Sequence, residues 1–191
     1  MKHKPENIIA EGQQLFRRNG YHATGVSQIL ETCEIPKGTF YNYFESKEEF
    51  AIRCLNQYSE QIKKLISTYM SFTSQPPAKR VFRYFEQLLK INEDEGADSG
   101  CLLMNMSSEL GGSMQSISAL ASQEFEEWID LFIPIIEQAQ QAGELTAVLT
   151  PRDIAKLLYT TVYGSFVEMK CKQSTAEPRQ QLERVFGLLS T

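Results

Sequence analysis

Ile35-Pro-Lys-Gly-Thr-Phe-Tyr-Asn-Tyr-Phe-Glu-Ser-Lys-Glu-Glu-Phe50 packs two helix starts and five aromatic side chains into sixteen positions. Pro36 suits the first turn of a helix, where its missing N–H costs nothing, and Gly38 leaves the backbone open to close approach by a partner. Phe40 and Phe44 are four residues apart, share one face and can dock inward. That leaves Lys37, Thr39, Tyr41, Asn42 and Tyr43 pointing outward, one cation with hydroxyl, phenol and amide groups that suit phosphate oxygens and base edges. Ser46 is placed to cap the next helix, with Glu48 and Glu49 in its first turn, where the helix dipole favours carboxylates. A solvated amphipathic helix with two buried Phe has the same local pattern, so the flanking residues must decide between the readings.

Upstream, residues 5 to 18 carry Ile8, Ile9, Gly12, Leu15 and Phe16 at helical spacing, and this helix should stop at Asn19-Gly20. A short second helix opens at Thr24 or Gly25, runs through Glu31 or Thr32 and buries Val26, Ile29 and Leu30. Cys33-Glu34-Ile35 then gives a connection of helix-turn-helix length. Thr24-Gly-Val-Ser-Gln-Ile29 followed by Pro36-Lys-Gly-Thr-Phe-Tyr-Asn-Tyr-Phe-Glu-Ser-Lys47 resembles the signature of the TetR family of transcriptional repressors, over roughly the first fifty residues. The resemblance implies a DNA-binding surface made of Thr24, Ser27, Pro36, Lys37, Gly38, Thr39, Tyr41, Asn42, Tyr43 and Lys47. It also implies a double-stranded DNA operator, a small-molecule effector and a homodimer as partners. Many members carry Ala-Gly-Val-Ser before Lys-Gly; this chain carries Cys33-Glu34-Ile35-Pro36. The turn must therefore be made with Glu34 in place of the residue best suited to a left-handed conformation.

Composition adds little toward DNA. Residues 1 to 50 hold six Lys or Arg against seven Asp or Glu, a net of −1 within the total of −5, so no basic patch is visible in the sums. Lys2-His3-Lys4 and Arg17-Arg18 read either as sources of nonspecific attraction or, as is commoner for charge runs this short, as solvated surface. At 191 residues and 42% hydrophobic, the chain can bury a real core. It has no apolar run of about eighteen residues, so no membrane partner is expected. Cysteines at 33, 54, 101 and 171 lack Cys-x-x-Cys spacing and read as reduced thiols of a cytoplasmic protein. With only His3 and His22, the chain offers no expected metal site, cofactor site or catalytic residues, and an enzyme is not expected.

Beyond residue 46 the periodicity is helical throughout. Phe50, Cys54, Tyr58, Ile62, Leu65, Ile66 and Tyr69 predict one long helix ending near Ser71 to Pro77. Further helices are expected over Arg80 to Ile91, from Cys101 to before Gly111-Gly112, over Met114 to Ala142 with a kink at Pro134, from Thr150-Pro151 and after Pro178, with an acidic loop from Asn92 to Gly100. The expected fold is all-α with about nine helices. The resemblance implies a three-helix helix-turn-helix domain over residues 1–48, joined by the long helix to a ligand-binding and dimerisation domain at 49–191.

Tyr84, Phe85, Cys101, Met104, Met106, Phe125, Trp128, Phe132, Tyr159, Tyr163 and Phe166 form the pool from which an effector pocket could be drawn, although such residues are more often plain core. Leu158, Val162, Ser165, Phe166, Leu182, Val185, Phe186 and Leu189, on the last two helices, either cover the protomer core or form a dimer interface. The family resemblance implies the second, as a four-helix bundle from two subunits. Gly100-Cys-Leu-Leu103 is similar to a motif in a branch of that family. Placed at a helix start, the Cys101 thiol should have its pKa lowered toward a reactive thiolate, unless it is simply packed as free cysteines usually are. The expected function is an operator-binding repressor released by a small hydrophobic, aromatic or electrophilic effector; the alternative is an effector-independent activator or architectural protein.

Overall fold

The computed structural model describes residues 4–96, 100–174 and 176–191, and among these are nine α-helices and a single isolated bridge, Leu145 to Ser190. Lys2, His3 and residues 97–99 of the acidic loop, Ser99 among them, lie outside the described residues. The helices are α1 (Pro5–Asn19), α2 (Val26–Cys33), α3 (Lys37–Tyr43), α4 (Lys47–Met70), α5 (Pro77–Asp94), α6 (Leu102–Leu110), α7 (Gln115–Gln141), α8 (Pro151–Lys172) and α9 (Ala176–Leu189). The chain packs as two compact units. One takes the chain up to Gln61 together with Cys101–Ala121; the other holds Ile62–Gly100 and Ser122–Thr191. Where chain order suggested a division at 48/49, packing groups α6 and the start of α7 with α1–α3.

In the first unit, Phe16, Phe40, Phe44 and Phe50 are fully buried and meet in one aromatic cluster, with ring centroids 4.8 to 5.8 Å apart. Helix α1 can come this close to α4 because of Gly12, whose added Cβ would lie 2.2 Å from the Phe50 ring. Leu102, Leu103, Met106 and Leu110 bury the inner face of α6. Burying each large side chain stabilises the fold by about 1.5–3 kcal/mol.

The second unit is built on Tyr84 and Phe85 from α5, Trp128 and Phe132 from α7, and Tyr159 and Tyr163 from α8, all buried. Thr150 caps α8 as expected: its Oγ1 accepts from the Asp153 N–H at 3.1 Å, with Pro151 at the first helical position. Helix α5 begins three residues before Arg80 and extends past Ile91. Pro77 is tolerated in its first turn, and the Ala78 N–H finds its acceptor in Glu144, 66 positions away, at 2.8 Å. Helix α9 likewise begins at Ala176, ahead of Pro178, because a first-turn proline gives up no intrahelical bond. Helix α7 runs through Pro134 as a single helix. Lys63 ties α4 to α7 within this unit, at 2.9 Å from Glu124 and 2.5 Å from Glu127.

Candidate nucleic-acid interface

The connection between α2 and α3 is a left-handed helix stop. Glu34 has φ 54° and ψ 43°, and the Ile35 N–H reaches back to the Leu30 carbonyl at 3.0 Å while the Glu34 N–H reaches Glu31 at 3.2 Å. Ile35 is buried behind this turn. A non-glycine residue pays about 1–2 kcal/mol for this conformation. Pro36, with φ −66° and ψ 150°, then sets the entry to α3.

Helix α3 and its C-cap residue Phe44 divide their aromatic side chains between two sides. Phe40 and Phe44 are buried, while Tyr41 and Tyr43 are 46% and 36% exposed. Pro36, Lys37, Gly38 and Asn42 are also exposed and Thr39 is half-buried; on α2, Ser27 is exposed. The Lys37 Nζ lies 5.9 Å from the Tyr41 ring centroid, and a Cβ on Gly38 would meet no atom within 4 Å. These groups form one outward surface with a single cation and several hydrogen-bonding groups. Ser46 caps α4 as expected, its Oγ accepting from the Glu49 N–H at 3.1 Å, and Glu49 in turn accepts from the Glu45 N–H at 2.5 Å. That backbone bond, followed by the contact with Arg53, holds the Glu49 carboxyl below its usual pKa.

Three residues read from the sequence as facing DNA are committed elsewhere. Thr24 is fully buried, and its hydroxyl donates to the Gly20 carbonyl at 2.7 Å. Lys47 donates to the Tyr21 carbonyl at 2.8 Å with its ammonium 4.0 Å above the Tyr21 ring; burial lowers its pKa while Glu109 acts in the opposite sense. Arg17 is buried against Tyr58, leaving Arg18 as the exposed member of that pair. Helical spacing could not reveal the last two commitments, because Lys47 and Arg17 meet partners on other elements, whereas Thr24 turns back within its own connection.

Residues 8–54 match the family described as "Bacterial regulatory proteins, tetR family", and residues 77–185 match "Tetracyclin repressor-like, C-terminal domain". The chain belongs to the TetR family. The transcriptional repressor DhaR of Mycobacterium sp. strain GP1 is 30% identical over 96% of this chain and 91% of its own length. The repressor NemR of Escherichia coli K12 is 26% identical over 97% of this chain and 94% of its own. Among solved structures, the regulatory protein TetR from Rhodobacter sphaeroides superposes with a TM-score of 0.91 at 25% identity, covering 97% of this chain and 98% of that one. The reduced form of Escherichia coli NemR gives 0.87 at 26% identity, covering 98% and 96%. As a TetR-family member the chain is a DNA-binding transcriptional regulator and not an enzyme, and no described helix is long and apolar enough to cross a membrane.

In this TetR-family chain the effector pool separates into two groups. Tyr84, Phe85, Phe125, Trp128, Phe132, Tyr159, Tyr163 and Phe166 form one continuous ring cluster in the second unit, in which the Tyr84 and Tyr159 hydroxyls lie 3.0 Å apart. Cys101, Met104 and Met106 belong to the first unit. Cys101 does stand at the N-cap of α6, but its thiol pKa is raised rather than lowered. Burial pushes it up, outweighing the Met104 N–H, the Tyr58 hydroxyl, the Leu103 N–H and the Arg17 charge, which all pull it down. Full burial of Cys101 and the raised pKa both agree with the packed reading of this cysteine rather than with a reactive thiolate.

The proposed dimer residues also need correction. Leu158, Val162, Ser165, Phe166, Leu182 and Leu189 are buried within the protomer, and Val185 and Phe186 are half-buried, with Phe186 packed on Phe82 at 5.0 Å. A wide apolar helix face identifies the side turned to the core. The outer side of α8 instead carries Leu157, Thr160, Gly164, Val167 and Cys171, all exposed, with Val167 at 66%.

Proposed function

We propose that the chain is a homodimeric repressor that seats α3 in the major groove of a pseudo-palindromic operator in the cytoplasm. It leaves the operator when a small hydrophobic, aromatic or electrophilic effector binds the C-terminal domain. The two-sided α3 carries this reading: buried Phe40 and Phe44 fix the helix rigidly, so that Lys37, Tyr41, Asn42 and Tyr43 reach outward from a defined surface. The outer stripe of α8 suits a dimer interface. Leu157, Thr160, Gly164, Val167 and Cys171 alternate three and four residues apart, which is the seam spacing of paired helices, and Gly164 permits close approach. A two-fold dimer spaces two recognition helices about 34–36 Å apart, one helical turn of DNA.

The effector acts by shifting the population toward a conformer whose heads no longer match that spacing, with its differential affinity as the source. The ring cluster is a buried aromatic core whose Tyr84 and Tyr159 hydroxyls bond to each other, and an aromatic compound would bind by taking the place of these ring contacts.

Fluorescence anisotropy on a duplex taken from the DNA upstream of the chain's own gene tests the reading. Tyr41→Ala should abolish discrimination between that duplex and a scrambled one. Lys37→Ala should lower the slope of log affinity against log salt by about one, whereas Tyr41→Phe should leave it nearly unchanged. Equal affinity of the parent chain for both duplexes would refute the reading. A thermal-shift screen of aromatic and amphipathic compounds identifies the effector, since a bound ligand raises stability by mass action.

A further inference from the structure

Helix α6 grips the turn between α1 and α2 through polar side chains on successive turns. The Asn105 amide donates to the Arg17 carbonyl at 3.2 Å. One turn later Glu109 uses both carboxylate oxygens: Oε2 accepts from the Tyr21 N–H and Oε1 from the His22 N–H, each at 2.7 Å. All of these residues lie within the first compact unit.

The gripped turn sets where α2 begins. The Thr24 N–H returns to the Tyr21 carbonyl at 3.2 Å and the Thr24 hydroxyl to the Gly20 carbonyl at 2.7 Å. The Tyr21 carbonyl is fixed as well, accepting from Lys47 Nζ at 2.8 Å. Gly20, with φ +84°, leaves room for the carboxylate, because a Cβ there would stand 2.7 Å from Glu109 Oε2. Burial of Leu102, Leu103, Met106 and Leu110 attaches α6 to this unit, but apolar contact is non-directional and leaves the turn's orientation unspecified. Two charge-assisted bonds from adjacent N–H groups to one planar carboxylate fix both its position and its rotation.

We propose that Glu109 is a positioning residue for operator recognition. It holds the Tyr21-His22 turn, and through it α2 and α3, in the orientation that reads DNA. The proposal rests on the repressor reading given above. It makes α6, which the family assigns to the C-terminal domain, a working part of the DNA-binding head.

Full-length Glu109→Gln keeps the side chain's size but offers one acceptor and one donor to two N–H groups. Its affinity for the upstream duplex should fall by about tenfold or more, while binding to the scrambled duplex changes less than about twofold. Hydrogen exchange at the Tyr21 and His22 amides should quicken by about tenfold in the same variant. Ser116→Ala, which removes the 2.6 Å bond to Glu48 Oε1 but leaves the turn intact, should bind the upstream duplex like the parent. A Glu109→Gln protein that keeps parental affinity and discrimination overturns the proposal, as does equal loss on both duplexes. Rapid exchange at Tyr21 and His22 in the parent, read without any variant, also overturns it. If the parent itself fails to discriminate, the repressor reading has failed; if only the variant result fails, that reading stands and the role of Glu109 falls.

Discussion

Helix α3 and the ring cluster of the second unit use the same residue types to opposite ends. In α3 the missing hydroxyl sorts the aromatics: Phe40 and Phe44 go inward, Tyr41 and Tyr43 stay in water. In the second unit Tyr84 and Tyr159 are buried as deeply as the phenylalanines beside them, and their hydroxyls lie 3.0 Å from each other. A phenol can be buried when the opposing element supplies a partner, and α3 has no such element on its outer side. An exposed tyrosine on a short, well-anchored helix is thus available for recognition, whereas a buried one belongs to the core until a ligand replaces its neighbours.

The largest expected effect falls on the inward side of α3. Phe40→Ala should cost about 3–5 kcal/mol in urea or thermal unfolding, while Tyr41→Ala, next to it, should change stability by less than about 0.5 kcal/mol. Equal losses at the two positions would erase the distinction between the two sides of the helix. An intermediate effect is expected in the ring cluster, where Tyr84→Phe should cost about 1 kcal/mol by removing one hydroxyl from a buried pair. A neutral Tyr84→Phe would show that the pair contributes nothing beyond its ring packing. The smallest effect belongs to the turn before α3. Glu34→Gly should stabilise the protein by up to about 1 kcal/mol, relief of the left-handed strain being partly offset by the extra entropy of glycine in the unfolded chain. Destabilisation on that substitution would mean that Glu34 contributes through its side chain more than its backbone costs.

Much of the local structure was legible because its signals are local. The Ser46 and Thr150 caps, the stop at Asn19-Gly20 and the Phe40/Phe44 pairing each need only residues within four positions of one another. The sequence also flagged the strained position: Glu34 stands where a glycine would be favoured, and the chain adopts φ 54° there. The α5 start was misread because Pro76-Pro77 reads as a break, while the Ala78 N–H is satisfied by Glu144, 66 positions away. Lys47 and Arg17 looked like free cations because a charge in a sequence does not reveal the carbonyl or ring it will meet.

By itself, then, the sequence determined the all-helical class, the helix-turn-helix near the N-terminus and the outward set Lys37, Thr39, Tyr41, Asn42 and Tyr43, of which Thr39 is half-buried. Periodicity and capping act over three or four residues, and the chain carries that information without folding. Tertiary structure alone decided which side of α8 faces the core, that burial outweighs the helix start at Cys101, and that α6 packs with the head, where Glu109 meets the Tyr21 and His22 amides. The Glu109 contacts join groups 88 and 87 positions apart, and the other two outcomes rest on how helices pack and how deeply a site is desolvated; none is set until the chain has folded.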